Sequence, residues 1–168
     1  MGEEMKDIWA GDIIFVRSRG ILSNVIRWIT KGHWNHVGLV SGKIEDHTLI
    51  CEAGRSGIDI NDLVWRKIRK ENYSIYRLEG ITAHQRSELV QQCLSWVGVS
   101  YDYPACLNFI TWETWFGNAK EMICSEMLYR ALRGLNLIDD VFDPEEVSPA
   151  DLFRELKDRI VLVKKVEF

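Results

Sequence analysis

Apolar residues alternate or run together through the first half of the chain, and they recur at helical spacing through the second. Gly11-Asp12 precedes the unbroken apolar run Ile13-Ile14-Phe15-Val16, which predicts a turn feeding a buried strand. Ser23–Thr30 places Val25, Ile26 and Ile29 on one side of a short helix, with Gly32 positioned to end it. Asn35–Ser41 and Thr48–Ala53 read as strands, joined by a hairpin connection over Gly42–His47. Gly57–Ile60 and Tyr73–Leu78 alternate as two more. The period then changes. Thr82 suits the cap of a helix running to Val97, with Leu89, Cys93, Trp96 and Val97 on its apolar side and Gly98 as its stop. Asn108–Phe116 is aromatic and compatible with a helix. Cys124–Arg133 is a helix with Gly134 as its C-terminal cap, and Ser148-Pro149 opens a last one. Ile160–Val163 closes the chain as a strand. Strands first, helices second and a returning strand imply α+β rather than alternating α/β, in one domain spanning 1–168 with no linker or repeat.

Composition narrows the function classes. The 168 residues are enough for one substantial core, and 46% hydrophobic with 27% charged residues describes a globular chain. A formal net charge of -4 gives no footing for nucleic-acid binding. The basic run Arg66-Lys67-Ile68-Arg69-Lys70 reads as a solvated loop or helix face. No apolar run reaches the roughly 18–20 residues of a membrane span. The N-terminal residues lack a signal peptide's basic and apolar segments, so a cytoplasmic location with reduced thiols is expected. Cys51, Cys93, Cys106 and Cys124 have no paired C-x-x-C spacing, which argues against a structural zinc site. Seven tryptophans, among them Trp96, Trp112 and Trp115, read first as core.

The candidate chemistry starts at Met122-Ile123-Cys124-Ser125-Glu126, where a thiol stands at a predicted helix start. Unpaired N–H groups and the partial positive charge of a helix N-terminus favour the thiolate, and the same amides, at Ser125 among others, could cradle an oxyanion. A small buried apolar residue is the other role open to Cys124. His36 opens the strand His36-Val37-Gly38-Leu39-Val40 and is the candidate base; His33, beside Gly32 in a loop, competes with it. Glu52 lies in the apolar context Leu49-Ile50-Cys51-Ala53, where an unpaired carboxylate costs several kcal/mol. It therefore needs a partner, either an imidazolium it would orient or a basic side chain such as Arg55. Tyr101 and Tyr103, on either side of Asp102, could help hold an oxyanion or substrate, or pack with their hydroxyls at the surface. Asp12 and Asp102 read as turn or cap carboxylates. The aromatic stretch Phe109–Phe116 could line a substrate groove, touch a membrane surface or join the core, and Glu113–Met122 with its Gly117-Asn118 bend is a candidate lid.

Taken in order, Gly11-Asp12-Ile13-Ile14-Phe15, Asn35-His36-Val37-Gly38-Leu39-Val40, Cys51-Glu52-Ala53 with Gly57-Ile58, Tyr101-Asp102, Cys124-Ser125-Glu126 and Ser148-Pro149-Ala150-Asp151-Leu152 resemble the NlpC/P60 superfamily of papain-like cysteine hydrolases. Histidine before cysteine is the order of its circularly permuted branch. The likeness is greatest to the YiiX/YebB-like group; poxvirus members of the branch are similar in size and layout, and lecithin:retinol acyltransferase-like enzymes are more distant. The resemblance implies a small antiparallel sheet or barrel packed against helices, and a triad of Cys124, His36 and Glu52. It also implies hydrolysis of an amide (peptide, peptidoglycan-type or lipid-linked) or ester through a thioester acyl-enzyme, with no cofactor or metal. Two features depart from relatives. Bacterial members often carry export signals. Acyltransferase-like members carry a second histidine where this chain has Glu52. Acyl transfer or phospholipase action on lipids, and a non-catalytic binding module on the same fold, are the alternative readings.

Overall fold

A strand whose residues are all apolar needs cover on both faces, and the run Ile13-Ile14-Phe15-Val16, fully buried, has it. The structure, a computed structural model, describes residues 7–19, 21–54, 56–100 and 122–168. The elements are β1 (Ile13–Arg17), α1 (Ile21–Thr30), β2 (His36–Ile44), β3 (His47–Gly54), β4 (Gly57–Asp62), α2 (Val64–Ile68), β5 (Asn72–Leu78), α3 (Ala83–Leu94), α4 (Cys124–Gly134), α5 (Pro149–Leu156) and β6 (Ile160–Val166). The strands form one antiparallel sheet in the order β4-β3-β2-β1-β5-β6, which places β1 in its interior. This is the expected α+β architecture, with a six-stranded antiparallel sheet and five helices among the described residues.

Side chains alternate across the sheet and sort into two layers. Ile13, Phe15, Val37, Leu39, Cys51 and Ala53 pack with Leu89 of α3, Met127, Leu128 and Leu132 of α4 and Leu152 of α5. Ile14, Val16, Val40, Ile50, Tyr73, Ile75 and Val163 pack on the other face, with Leu63 beside α2. By the same alternation His36 and Glu52 belong to this second face, although α4 lies on the first.

Several boundaries differ from those the sequence suggests. After α3, Trp96 N–H bonds to Cys93 O and Val97 N–H to Leu94 O, so the chain tightens into three-residue turns. That rotation leaves Val97 exposed, while Trp96 stays packed against the core. Helix α1 gives way at Lys31, which takes the left-handed conformation (φ 48°), rather than at Gly32. Ile29 is half-buried, as the periodicity suggests; the side chains of Val25 and Ile26 lie outside what is described. Helix α4 includes Gly134, and the left-handed turn that follows it falls at Asn136 (φ 54°), where Leu137 N–H reaches Leu132 O at 2.8 Å and Asn136 N–H reaches Arg133 O at 2.9 Å. Ser148 caps α5, with Asp151 returning the bond to its N–H at 3.1 Å.

Gly57 ties the edge strand β4 to the loop after α3. Its φ is 108°, and a Cβ there would stand 2.3 Å from Val99 O, the atom that accepts Ile58 N–H at 2.8 Å. Gly57→Ala is expected to cost about 2–4 kcal/mol, read as a lower urea midpoint at unchanged slope. A midpoint within error of wild type would show that the loop moves aside freely.

Candidate active site

Cys124 is the first residue of α4. The capping position before it is Ile123, extended at φ -91° and ψ 166°. Isoleucine has no acceptor to offer the first-turn amides, so they stay available to another group. Glu126 Oε2 accepts the Ile123 N–H at 3.3 Å and so fixes the helix entrance from the other side. The Cys124 sulfur accepts two backbone N–H groups, from Ser125 in the helix and from Val37 in β2. Ser125 is fully buried, and its Oγ has no hydrogen-bond partner among the described residues.

Val37 can spare its amide because of how the strands pair. Alternate amides of an antiparallel strand point to opposite neighbours. Val40 N–H reaches across to Asp12 O at 2.8 Å, so Val37, three residues earlier, directs its N–H toward β3. There β2 and β3 pair only from Leu39↔Cys51 outward, and a bulge follows between Val40 and Gly42. The Val37 N–H thus turns to the sulfur where the pairing of β2 with β3 has ended. From there the sulfur can meet a side chain on the face opposite α4.

That side chain is His36. Its ring is hydrogen-bonded to Cys124 and, through Nε2, to Glu52 Oε2 at 2.7 Å, which leaves Nδ1 for the sulfur. Glu52 approaches because Gly38 is small. A Cβ at Gly38 would stand 2.9 Å from Ile50 Cγ2 and 3.1 Å from Glu52 Cβ. Glu52 Oε2 also accepts Arg66 Nη2, and Arg66 Nη1 donates to Glu71 Oε2 at 2.7 Å. Arg66, Glu52 and Glu71 are all buried.

The charges oppose burial and win. Burial alone would push the His36 pKa down; the charges of Cys124 and Glu52 and the hydrogen bonds to both raise it to about 9. Burial would push Glu52 up, but His36 and Arg66 bring it to about 2. Burial would likewise favour the protonated thiol of Cys124. The His36 charge, the His36 hydrogen bond and the Val37 and Ser125 amides reverse that, and its pKa is lowered. The other described cysteines go the opposite way: burial pushes Cys51 up to about 11, and Cys93 is raised further still.

The structure thus brings Cys124, His36 and Glu52 together, with Ser125 N–H on the sulfur. Tyr101, Asp102 and Tyr103, the alternative cation Arg55, and Asn108–Phe116 lie outside the described residues, as does all of the candidate lid except Met122. His33 stays away from the sulfur and packs edge-on against Trp34 at 4.5 Å. Two participants were not legible. The Val37 amide is backbone and has no side-chain signal. Arg66 sits in a basic run expected to be solvated. Lys67, Arg69 and Lys70 are exposed as expected, but Arg66 is turned inward. The available hint was its spacing, three residues after the apolar Leu63, one helical turn on the same side.

No curated protein sequence gives a significant match. A solved structure described as metalloprotein yiiX from Escherichia coli O157:H7 superposes with a TM-score of 0.71 and 21% identity, over 95% of this chain and 98% of that one. A family model described as permuted papain-like amidase enzyme, YaeF/YiiX, C92 family, matches residues 7–141, most of the 168 in the chain. With a sheet-borne histidine ahead of a helix-borne cysteine, the chain belongs to this permuted papain-like amidase family.

Proposed function

We propose that the protein is a thiol hydrolase that cleaves an amide through Cys124, His36 and Glu52. The Cys124 thiolate attacks the carbonyl carbon, and the oxyanion takes the helix-start N–H groups of Cys124 and Ser125. The His36 imidazolium gives its proton to the leaving amine as the C–N bond breaks. Water then attacks the thioester, His36 accepts its proton, and the acid departs with the thiol restored. Glu52 holds the ring and stabilises its charged form. The observation that carries this reading is the placement of His36 between the helix-start Cys124 and the Glu52 carboxylate, which meets Nε2 at 2.7 Å.

The yiiX structure is described as a metalloprotein; among the described residues here no group of three or more His, Cys, Asp or Glu side chains is placed to hold an ion. Nor is any described helix long and apolar enough to cross a membrane.

The test is labelling with iodoacetamide at about pH 5.5, where an ordinary thiol is almost wholly protonated. Wild type should incorporate one label, at Cys124, and Cys124→Ala none. Equal labelling of the two proteins would end the proposal. Turnover has a second signature. His36 must be protonated to expel the amine, so kcat/KM should hold up to about pH 9 and fall about tenfold per unit above it. Glu52, lowered to about 2, stays ionised throughout that range.

A further inference from the structure

Behind the imidazole, Glu52, Arg66 and Glu71 form a buried row of carboxylate, guanidinium and carboxylate. Resting on the functional reading above, we propose that Arg66, anchored by Glu71, is a positioning residue that holds the Glu52 carboxylate on His36 Nε2. One oxygen, Glu52 Oε2, meets both His36 Nε2 and Arg66 Nη2. A planar guanidinium with fixed N–H directions can lock that oxygen in place, where an ammonium gives only a point charge. Arg66 spends its second nitrogen, Nη1, on Glu71.

The local backbone is arranged to produce this row. Helix α2 ends with Lys70 in the left-handed conformation (φ 51°), an unfavourable choice for a residue with a Cβ. That turn folds the chain back: Lys70 N–H bonds to Lys67 O at 3.0 Å and Glu71 N–H to Arg66 O at 2.9 Å. Glu71 thereby returns beneath the arginine it anchors. Arg66 in turn is held charged: burial would lower its pKa, and Glu52 and Glu71 outweigh that and raise it.

The charges behind the ring sum to one negative, from two carboxylates and one guanidinium. The other described groups acting here are Cys124 of α4 at the opposite ring nitrogen, Asp59 across the ladder from Glu52, and Cys51 next to it on β3. This count separates positioning from charge. The double variant Arg66→Met/Glu71→Gln keeps one negative charge, Glu52, but removes what braces it.

The experiment follows the His36 ring by NMR in protein with labelled histidine, alongside Cys124 alkylation by iodoacetamide. In wild type the His36 midpoint is expected near 9. In the double variant it should fall by about one unit or more, with alkylation at about pH 5.5 slowed roughly tenfold. A folded double variant with the wild-type midpoint and alkylation profile overturns the inference. Should it not fold, Glu71→Gln decides. There the charge behind the ring goes to zero and the anchor weakens, so the midpoint must fall; an unchanged midpoint overturns the inference. Failure of the underlying reading looks different: His36 of wild type would titrate near the ordinary imidazole value, with Cys124 alkylated no faster than a free thiol.

Discussion

His36→Ala is expected to leave Cys124 alkylation nearly unchanged near pH 8 and to reduce it about 100-fold at about pH 5.5. The two results have one cause. Without the imidazolium, burial of Cys124 is no longer offset by its largest opposing charge, and the thiol returns to an ordinary value or above. At mildly alkaline pH the smaller thiolate fraction is compensated, because a more basic thiolate is intrinsically more nucleophilic by about half a log unit per pKa unit. In acid the same intrinsic gain is outweighed, since the variant's thiolate fraction falls tenfold per unit of pH while that gain stays fixed. A single rate at neutral pH would therefore mislead, and the profile is the measurement. Amide turnover has no such compensation. Loss of the ring removes both the proton donor for the amine and the base for water, so kcat should fall about 10^4-fold. Wild-type alkylation at pH 5.5 in a folded His36→Ala protein would mean that the helix-start and Val37 amides suffice to ionise the thiol.

The parts of this site that could be read from the chain are those that broke a local rule. A carboxylate among Leu49, Ile50, Cys51 and Ala53 demands a partner, and a cysteine preceded by isoleucine at a helix start lies next to uncapped amides. Each anomaly marks a place where tertiary structure must compensate. Arg66 broke no rule, because an arginine among Lys67, Arg69 and Lys70 looks solvated; only the fold reveals that one side chain of the four turns inward. Helix ends were misplaced for a related reason. Gly32 and Gly134 are the residues best suited to left-handed backbone, yet Lys31 and Asn136 adopt it. The contacts beyond each helix choose where the chain turns, and they outweigh the modest local preference for glycine. Asp12 shows the same limit. Its turn role was legible in Gly11-Asp12, and it does accept Trp9 N–H at 2.8 Å. The cations it also meets come from distant elements.

Those cations make Asp12 the source of the largest expected loss of stability. The side chain is fully buried. Its Oδ1 accepts Arg77 Nε at 2.8 Å and, more weakly, Arg86 Nη1 at 3.4 Å; its Oδ2 accepts Arg77 Nη2 at 2.8 Å. Arg77 comes from β5 and Arg86 from α3, so one carboxylate joins the chain before β1 to the sheet and to a helix. The Arg77 guanidinium also lies 3.6 Å from the Trp9 ring centre, which confines it further. Asp12→Ala removes the acceptor and strands two mostly buried guanidiniums, whose side chains are 14% and 16% exposed. Breaking a buried pair on one side costs about 3–5 kcal/mol, and the residual solvent contact of both arginines favours the lower end. Arg86→Met should cost much less, since its bond is long and Arg77 keeps both carboxylate oxygens satisfied. Equilibrium unfolding in urea measures both, and the ordering is the critical outcome. If Arg86→Met proved as damaging as Asp12→Ala, the stabilisation would reside in packing along the α3 stem rather than in the carboxylate.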